Sequence, residues 1–379
     1  MELGIYVHIP FCKSKCYYCD FLSYPSKEDN YQAYVDALIN EMKAHKIKTN
    51  KALTITTIFI GGGTPSVLPP ILLERLLVSI NENFNIGDKA EYTIEANPGT
   101  LTEEKLNIMK KYGVNRISIG GQTYDEDLLK TIGRCHRGED ITNSFILARD
   151  HGFNNINLDL MFALPGQSLD QLKETLDKVI RLNPEHISAY SLIVEEGTPF
   201  GDLEERGQLI LPSEDEEREM YYLIENYLKK NGYKKYEISN FSKEGKASRH
   251  NINNWKTYEY IGLGLAAHSY YEGYRYSNTC NMDRYIENSH DLQAIQEDRQ
   301  QIGLKAQMEE FMFLGLRLTE GVDVADFEKR FKQSIDSIYG DQINKHLKNN
   351  LLARSGGRIW LTDYGQDVSN MVLCSFLLD

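Results

Sequence analysis

Six short runs rich in β-branched residues, separated by amphipathic stretches, fill the first half of this 379-residue chain, and nothing else narrows its fold as much. The runs lie at 4–9, 56–60, 92–96, 116–119, 155–160 and 186–191. Helical spacing of apolar residues marks 29–45, 71–83, 103–112, 142–151 and 169–182. Strand–helix alternation of this kind requires right-handed crossovers and a parallel sheet, so the class is α/β. Six such units build either an open doubly wound sheet or a partial (β/α) barrel, and periodicity does not separate the two.

The rhythm changes after about residue 200. Residues 213–230 predict a charged helix and 236–241 a further strand, followed by a stretch with Tyr258, Tyr260, Tyr270, Tyr271, Tyr274 and Tyr276. From Lys305 the pattern is helical, with a hairpin expected around Arg354–Arg358 and a last helix ending near Leu378. Helix, hairpin and helix suggest a small winged-helix-like module. The expected division is therefore 1–235, a Tyr-rich connecting segment at 236–300 and a C-terminal domain at 301–379.

Polar residues cluster where the predicted strands end. Gly61-Gly62-Gly63-Thr64 follows the second, Glu95 ends the third, Gln122 follows the fourth and Asp159 lies in the fifth. C-terminal strand ends are where α/β folds build ligand sites. Gly262-Leu263-Gly264-Leu265-Ala266-Ala267 formally fits a dinucleotide fingerprint, but a Tyr- and Gly-containing loop follows it where a helix is required.

The net charge of −13 argues against a nucleic-acid partner. No apolar run reaches the roughly 18 residues of a membrane span, and Met1–Tyr6 lacks the basic start and apolar stretch of a signal peptide, so the cytoplasm is the expected address. Three of the six cysteines fall within eight residues, in Tyr6-Val7-His8-Ile9-Pro10-Phe11-Cys12-Lys13-Ser14-Lys15-Cys16-Tyr17-Tyr18-Cys19-Asp20-Phe21. Thiolates are the soft ligands of iron–sulfur clusters, and Cys12, Cys16 and Cys19 in a C-x3-C-x2-C spacing leave one iron of a [4Fe-4S] cubane open. An open iron can chelate the amino and carboxylate groups of S-adenosylmethionine (SAM). A zinc site would usually show a second Cys or His pair downstream, and none follows; His8 sits within the first predicted strand.

The cysteine segment together with Gly61-Gly62-Gly63-Thr64-Pro65 resembles the oxygen-independent coproporphyrinogen-III-oxidase-like radical SAM family over the whole chain, and its haem-chaperone branch in particular. That resemblance implies a (β/α)6 partial barrel. It implies SAM contacts at Tyr6, at Gly62, Gly63 and Thr64, at Glu95 of Ile94-Glu95-Ala96-Asn97-Pro98, at Gln122, at Arg134 of Ile132-Gly133-Arg134, and at Asp159 of Asn157-Leu158-Asp159-Leu160. Glycine amides and Thr64 suit the methionine end of SAM, carboxylates an ammonium or ribose hydroxyls, and an arginine a carboxylate.

Within the family two functions compete: oxidative decarboxylation of coproporphyrinogen III, and binding of haem for delivery to acceptor proteins. Authentic oxidases carry a further cysteine two residues after the third, where this chain has Phe21, and a longer segment before the cluster, where eleven residues precede Cys12. Both features favour the haem carrier. Arg249-His250-Asn251-Ile252-Asn253-Asn254-Trp255 resembles the HNxxYW box of the chaperone branch, with Asn254 in place of tyrosine. It makes His250 the candidate axial haem ligand and His268 the second. A radical SAM methyltransferase has no positive feature here. By resemblance the partners are haem, haem-accepting proteins including membrane respiratory enzymes, and haem donors such as bacterioferritin, in a homodimer or monomer that can work at the membrane periphery.

Overall fold

The computed structural model of the chain describes residues 3–25, 28–48 and 53–378; Met1 and Glu2 of the N-terminal segment lie outside them. The six expected strands form as β1 (Leu3–Ile9), β2 (Ile55–Gly62), β3 (Ile86–Ala96), β4 (Arg116–Gln122), β5 (Ile156–Phe162) and β6 (His186–Ser191). The crossovers are α1 (Tyr31–Lys48), α2 (Pro70–Asn83), α3 (Glu103–Lys111), α4 (Gly138–Asp150) and α5 (Leu169–Leu182), with a short helix Glu126–Thr131 before α4. α4 begins earlier than its apolar spacing suggests, because the Asp140 carboxylate accepts the Arg137 amide at 2.8 Å and caps a first turn that carries no apolar signal. α5 starts at a capping box in which Ser168 and Gln171 satisfy each other's amides. It buries Leu172, Leu176 and Val179, one stripe of a 3.6-residue period.

β1 to β6 pair in sequence order and all in parallel. After α6 (Glu214–Lys230), two antiparallel strands, β7 (Lys234–Glu237) and β8 (Asn240–Ser242), extend the sheet beyond β6. The single strand expected at 236–241 is thus two, broken by a turn at Ile238–Ser239. On the other side β9 (Tyr260–Leu263) lies parallel to β1, making seven parallel strands where six were expected. The antiparallel β10 (His268–Tyr271), β11 (Tyr274–Asn278) and β12 (Gln296–Gln301) follow it. The Tyr-rich stretch therefore supplies strands to the same sheet. After Leu263 the chain turns into β10, which is the strand-to-strand path that rules out a dinucleotide loop there.

The two faces of these strands differ. Leu3, Ile5, Val7, Ile58, Ile60, Ile117, Ile119, Leu158 and Ile187 are buried against the helices. The opposite face carries Thr57, Glu91, Thr93, Arg116, Ser118, Asn157, His186 and Ser188, also buried. A parallel sheet with helices on both faces buries apolar side chains on both. A polar inner face is that of a lumen, and the open sheet order from β12 to β7 makes the barrel partial.

The C-terminal part has its own apolar core, built from the helices Leu304–Gly315, Val324–Phe331 and Ile335–Lys348 and a three-stranded sheet. The expected hairpin pairs Leu352–Ser355 with Arg358–Leu361. Gly356 and Gly357, both at positive φ, make the two-residue turn that strand twist favours. The last helix is Ser369–Cys374.

Candidate functional site at the mouth of the barrel

The C-terminal ends of β2 to β6 surround a cavity of about 510 Å³. Cys12, Cys16, Cys19, Gly62, Gly63, Thr64, Glu95, Gln122, Arg134 and Asp159 all line it, so ten of the residues singled out by sequence meet at one place. Tyr6 does not stand on that wall. Its ring lies against Phe59 with centroids 6.4 Å apart, and its hydroxyl pairs with His8 Nδ1 at 2.9 Å. Cys12, Cys16 and Cys19 are free and half-buried, whereas Cys135, Cys280 and Cys374 are exposed and apart from the cavity wall.

The loop carrying the three cysteines is pinned to the glycine loop. Gly63 N donates to Ile9 O at 2.9 Å, and Thr64 N to Phe11 O at 2.7 Å. A Cβ on Gly63 would stand 2.6 Å from Phe11 O, so only glycine allows this approach. Gly62 N donates to Glu95 Oε2 at 3.2 Å. The loop amides expected to hold SAM are thus already engaged. What the loop offers a ligand is its carbonyl oxygens and the bare Cα face that glycine leaves open.

A hydrogen-bonded arc joins two of the thiols. Thr64 Oγ1 donates to Cys12 Sγ at 3.6 Å and accepts from Asn97 Nδ2 at 2.8 Å. Arg134 closes the arc, donating to Asn97 Oδ1 at 3.0 Å and to Cys16 Sγ at 3.5 Å. Donors aimed at sulfur are what a cluster-bound thiolate needs around it. Burial pushes the Cys12 thiol up and the Cys19 thiol to about 11. In the bare chain these two therefore keep their protons, and binding a metal would release them. No three His, Cys, Asp or Glu among the described residues form a site for a single metal ion. Three thiols on one cavity wall, two of them with donors aimed at sulfur, suit a polynuclear cluster, and the residues fit the group.

Asp159 and Arg134 do not pair with each other. Asp159 is held by Ser118 Oγ at 3.1 Å and Asn157 Nδ2 at 2.7 Å, and Arg134 also donates to Gly120 O. Arg134 lines the cavity, and its Nε is buried with no hydrogen-bond partner. Burial, then the neighbouring Asp159 charge, pushes Glu95 up to about 8; burial also raises Asp159. Gln122 adopts a left-handed φ of 65°, which turns its side chain back over Gly120. Sequence reasoning missed Asn97, Ser118, Tyr190 and Ile193 on the same wall. Asn97 had a signal, since it lies two residues after Glu95 at a strand end and so shares its face.

His250 is placed differently from expectation. It opens the helix α7 (Arg249–Trp255) at the opposite, N-terminal end of the lumen and is 5% exposed. Its Nδ1 pairs with Thr57 Oγ1 at 3.0 Å, and its ring stacks on Phe59 at 5.3 Å. Burial, then the Arg116 charge, lowers it to about 4. A haem iron could reach this imidazole only if α7 left the barrel floor. One face of the Trp255 ring is taken by Arg317, 4.6 Å from its centroid. His268 is exposed, on β10.

Two families match the sequence, the Radical SAM superfamily over residues 6–179 and the HemN C-terminal domain over residues 302–368. The chain is 42% identical to the heme chaperone HemW of Lactococcus lactis, over 99% of this chain and 97% of that one. It is 40% identical to the heme chaperone HemW of Bacillus subtilis, over 98% of both. The chain belongs to the HemW family of radical SAM proteins. Its fold matches the coproporphyrinogen III oxidase HemN of Escherichia coli with a TM-score of 0.86 at 21% identity, over 99% of this chain and 90% of that one. The barrel and the C-terminal domain described above are therefore the fold of that structure.

Proposed function

We propose that this chain is a haem carrier whose barrel mouth holds a [4Fe-4S] cluster on Cys12, Cys16 and Cys19 with SAM beside it. The observation that carries the cofactor reading is the single cavity shared by the three thiols and the Gly62, Gly63, Thr64, Glu95, Gln122, Arg134 and Asp159 set. When bound, the cluster supplies an iron open to the amino acid end of SAM and an electron for its C–S bond. The chain's own groups bind and orient: glycine-loop carbonyls accept an ammonium, Asp159 and Glu95 face the ribose and positive charge, and the Arg134 guanidinium supplies positive charge for a carboxylate. Tyr6 acts from behind the wall through His8.

Carriage of haem is supported by the rim. Phe21 is 60% and Ile193 68% exposed, and both line the cavity mouth with Tyr190. Exposed apolar side chains gathered at a cavity are a docking surface, and they suit the face of a flat apolar ring. Relatives named heme chaperones support the same cargo. The partners that follow are haem, proteins that accept it, including membrane respiratory enzymes, and donors such as bacterioferritin. Homodimerisation and a cytoplasmic, peripherally membrane-associated address complete the proposal. No helix of the described residues is long and apolar enough to cross a membrane.

The test is a haem titration followed by its Soret band, with an anaerobic coproporphyrinogen III assay on the same preparation. About one haem per chain and no decarboxylation are expected. Phe21→Asp and Ile193→Asp should each weaken haem binding about tenfold or more, the cost of losing one large apolar contact, while His250→Ala leaves the band unchanged. Robust formation of protoporphyrinogen IX would replace the carrier by the decarboxylase.

A further inference from the structure

Among the described residues, two on the wall of the mouth cavity hold a buried polar atom with no hydrogen-bond partner, Arg134 and Ser23. Arg134 has its other donors in use, on Cys16, Asn97 and Gly120. Ser23 has a single hydroxyl, and that one is idle. The residue is 7% exposed, and a buried hydroxyl without a partner costs stability. In a native fold such a group calls for an explanation, and a ligand still to be bound is one.

The backbone places this hydroxyl beside the first thiol. After Cys19 the chain returns and pairs Tyr24–Pro25 in parallel with Phe11–Cys12, setting Pro25 opposite Cys12. Both neighbours of Ser23 are tied to the same segment. Tyr24 N donates to Pro10 O at 2.7 Å, and Leu22 O meets His8 Nε2 at 3.0 Å. Residues opposite each other in a ladder share a face, as do residues two apart on one strand. Ser23 therefore lies on the face of Cys12, and both residues line the cavity. The empty protein already registers the contact: burial raises the Cys12 thiol, and the hydroxyls of Thr64 and Ser23 draw it down. Thr64 Oγ1 donates to Cys12 Sγ at 3.6 Å, whereas Ser23 Oγ stops short of a hydrogen bond.

We propose that Ser23 is a sulfur-directed donor: with the cluster bound, its hydroxyl turns onto the Cys12 sulfur and raises the cluster's reduction potential. The inference rests on the three thiols being the cluster ligands. Reduction adds negative charge to a cluster, so a donor at sulfur stabilises the reduced form more than the oxidised one. Cys12 then receives two hydroxyls, from Thr64 and Ser23, where Cys16 receives the Arg134 guanidinium. The hydroxyl holds nothing together in the empty protein. Its removal therefore separates a role toward the cluster from a role in folding.

The experiment is an anaerobic redox titration of reconstituted protein without SAM, followed by the EPR signal of the reduced cluster. Iron content, SAM affinity and unfolding of the iron-free chain are recorded for each variant. Ser23→Ala should keep its iron, and its iron-free form should unfold no earlier than wild type. Reduction of its cluster should be about tenfold less favourable, about 59 mV lower for a one-electron couple. Ser23→Thr, which keeps the hydroxyl, should restore the wild-type potential. A wild-type potential in iron-loaded Ser23→Ala overturns the proposal, whether or not SAM affinity falls. A destabilised iron-free Ser23→Ala also overturns it, because the hydroxyl would then be structural. If Ser23→Ala holds no iron, Ser23→Thr decides: a wild-type potential supports the donor, and a lowered one overturns it. Wild-type protein that takes up no cubane would instead overturn the cluster reading.

Discussion

The two ends of the barrel are both lined by polar residues and differ in what those residues face: each other at the floor, and a thiol-lined cavity at the mouth. At the floor, Glu91 accepts the amides of Arg249 and His250, His250 meets Thr57, and Tyr236 bonds His186 at 2.8 Å. At the mouth, two of the thiols receive donors from Thr64 and Arg134, and about 510 Å³ is left between the walls. Buried polar groups normally find partners within the protein or in water. Both ends hold buried polar atoms without a partner, Arg134 Nε at the mouth and Arg116 Nε, Thr93 Oγ1 and Trp255 Nε1 at the floor, so it is the cavity lined by three thiols that marks the mouth as the site. A buried histidine already paired with Thr57 is therefore weaker evidence of a ligand than three thiols on one cavity wall.

The comparison breaks most visibly at Gly63. Gly63→Ala drives a Cβ into Phe11 O and Ile9 O, and it must push the cysteine loop off the glycine loop. Near-complete loss of reconstituted iron is expected, read by iron assay and the cluster's visible absorption. Iron content equal to wild type would mean that the two loops are not coupled as described.

A floor substitution should do the reverse. Glu91→Ala leaves two amides at the start of α7 without their acceptor, and the buried one, that of His250, costs about 1–3 kcal/mol when unsatisfied. Denaturant unfolding should show that loss while iron content and SAM affinity stay within error of wild type. A stable Glu91→Ala, or one that loses SAM binding, would erase the division between the ends.

The smallest effect belongs to Asn97, which touches no iron and only ties Thr64 to Arg134. Groups of that kind change metal affinity roughly 10–100-fold when removed. Asn97→Ala should still reconstitute, then lose iron to a chelator about tenfold faster, and chelation at the wild-type rate would remove Asn97 from the account.

Much of this was legible in the sequence, because parallel strands with one apolar and one polar face announce themselves by alternation and by their glycine and proline punctuation. The cysteine spacing and the strand-end residues led to the mouth for the same reason, since position along a strand fixes position in the barrel. Three things were not legible. The break between β7 and β8 falls at Ile238–Ser239, where no glycine or proline marks it. β9 joins the parallel set through a pairing with β1 that spans most of the chain. His250 could be named as an imidazole beside a tryptophan, but which end of the lumen it occupies depends on where α7 docks, and only the packed structure decides that.

The most direct test of the central claim is an iron and sulfide count after anaerobic reconstitution, for wild type, Cys16→Ser and the triple variant Cys135→Ser/Cys280→Ser/Cys374→Ser. The account predicts about four iron and four sulfide per chain in wild type and in the triple variant, as a cubane requires, and none retained in Cys16→Ser. A full cubane in Cys16→Ser, or its loss in the triple variant, would contradict it.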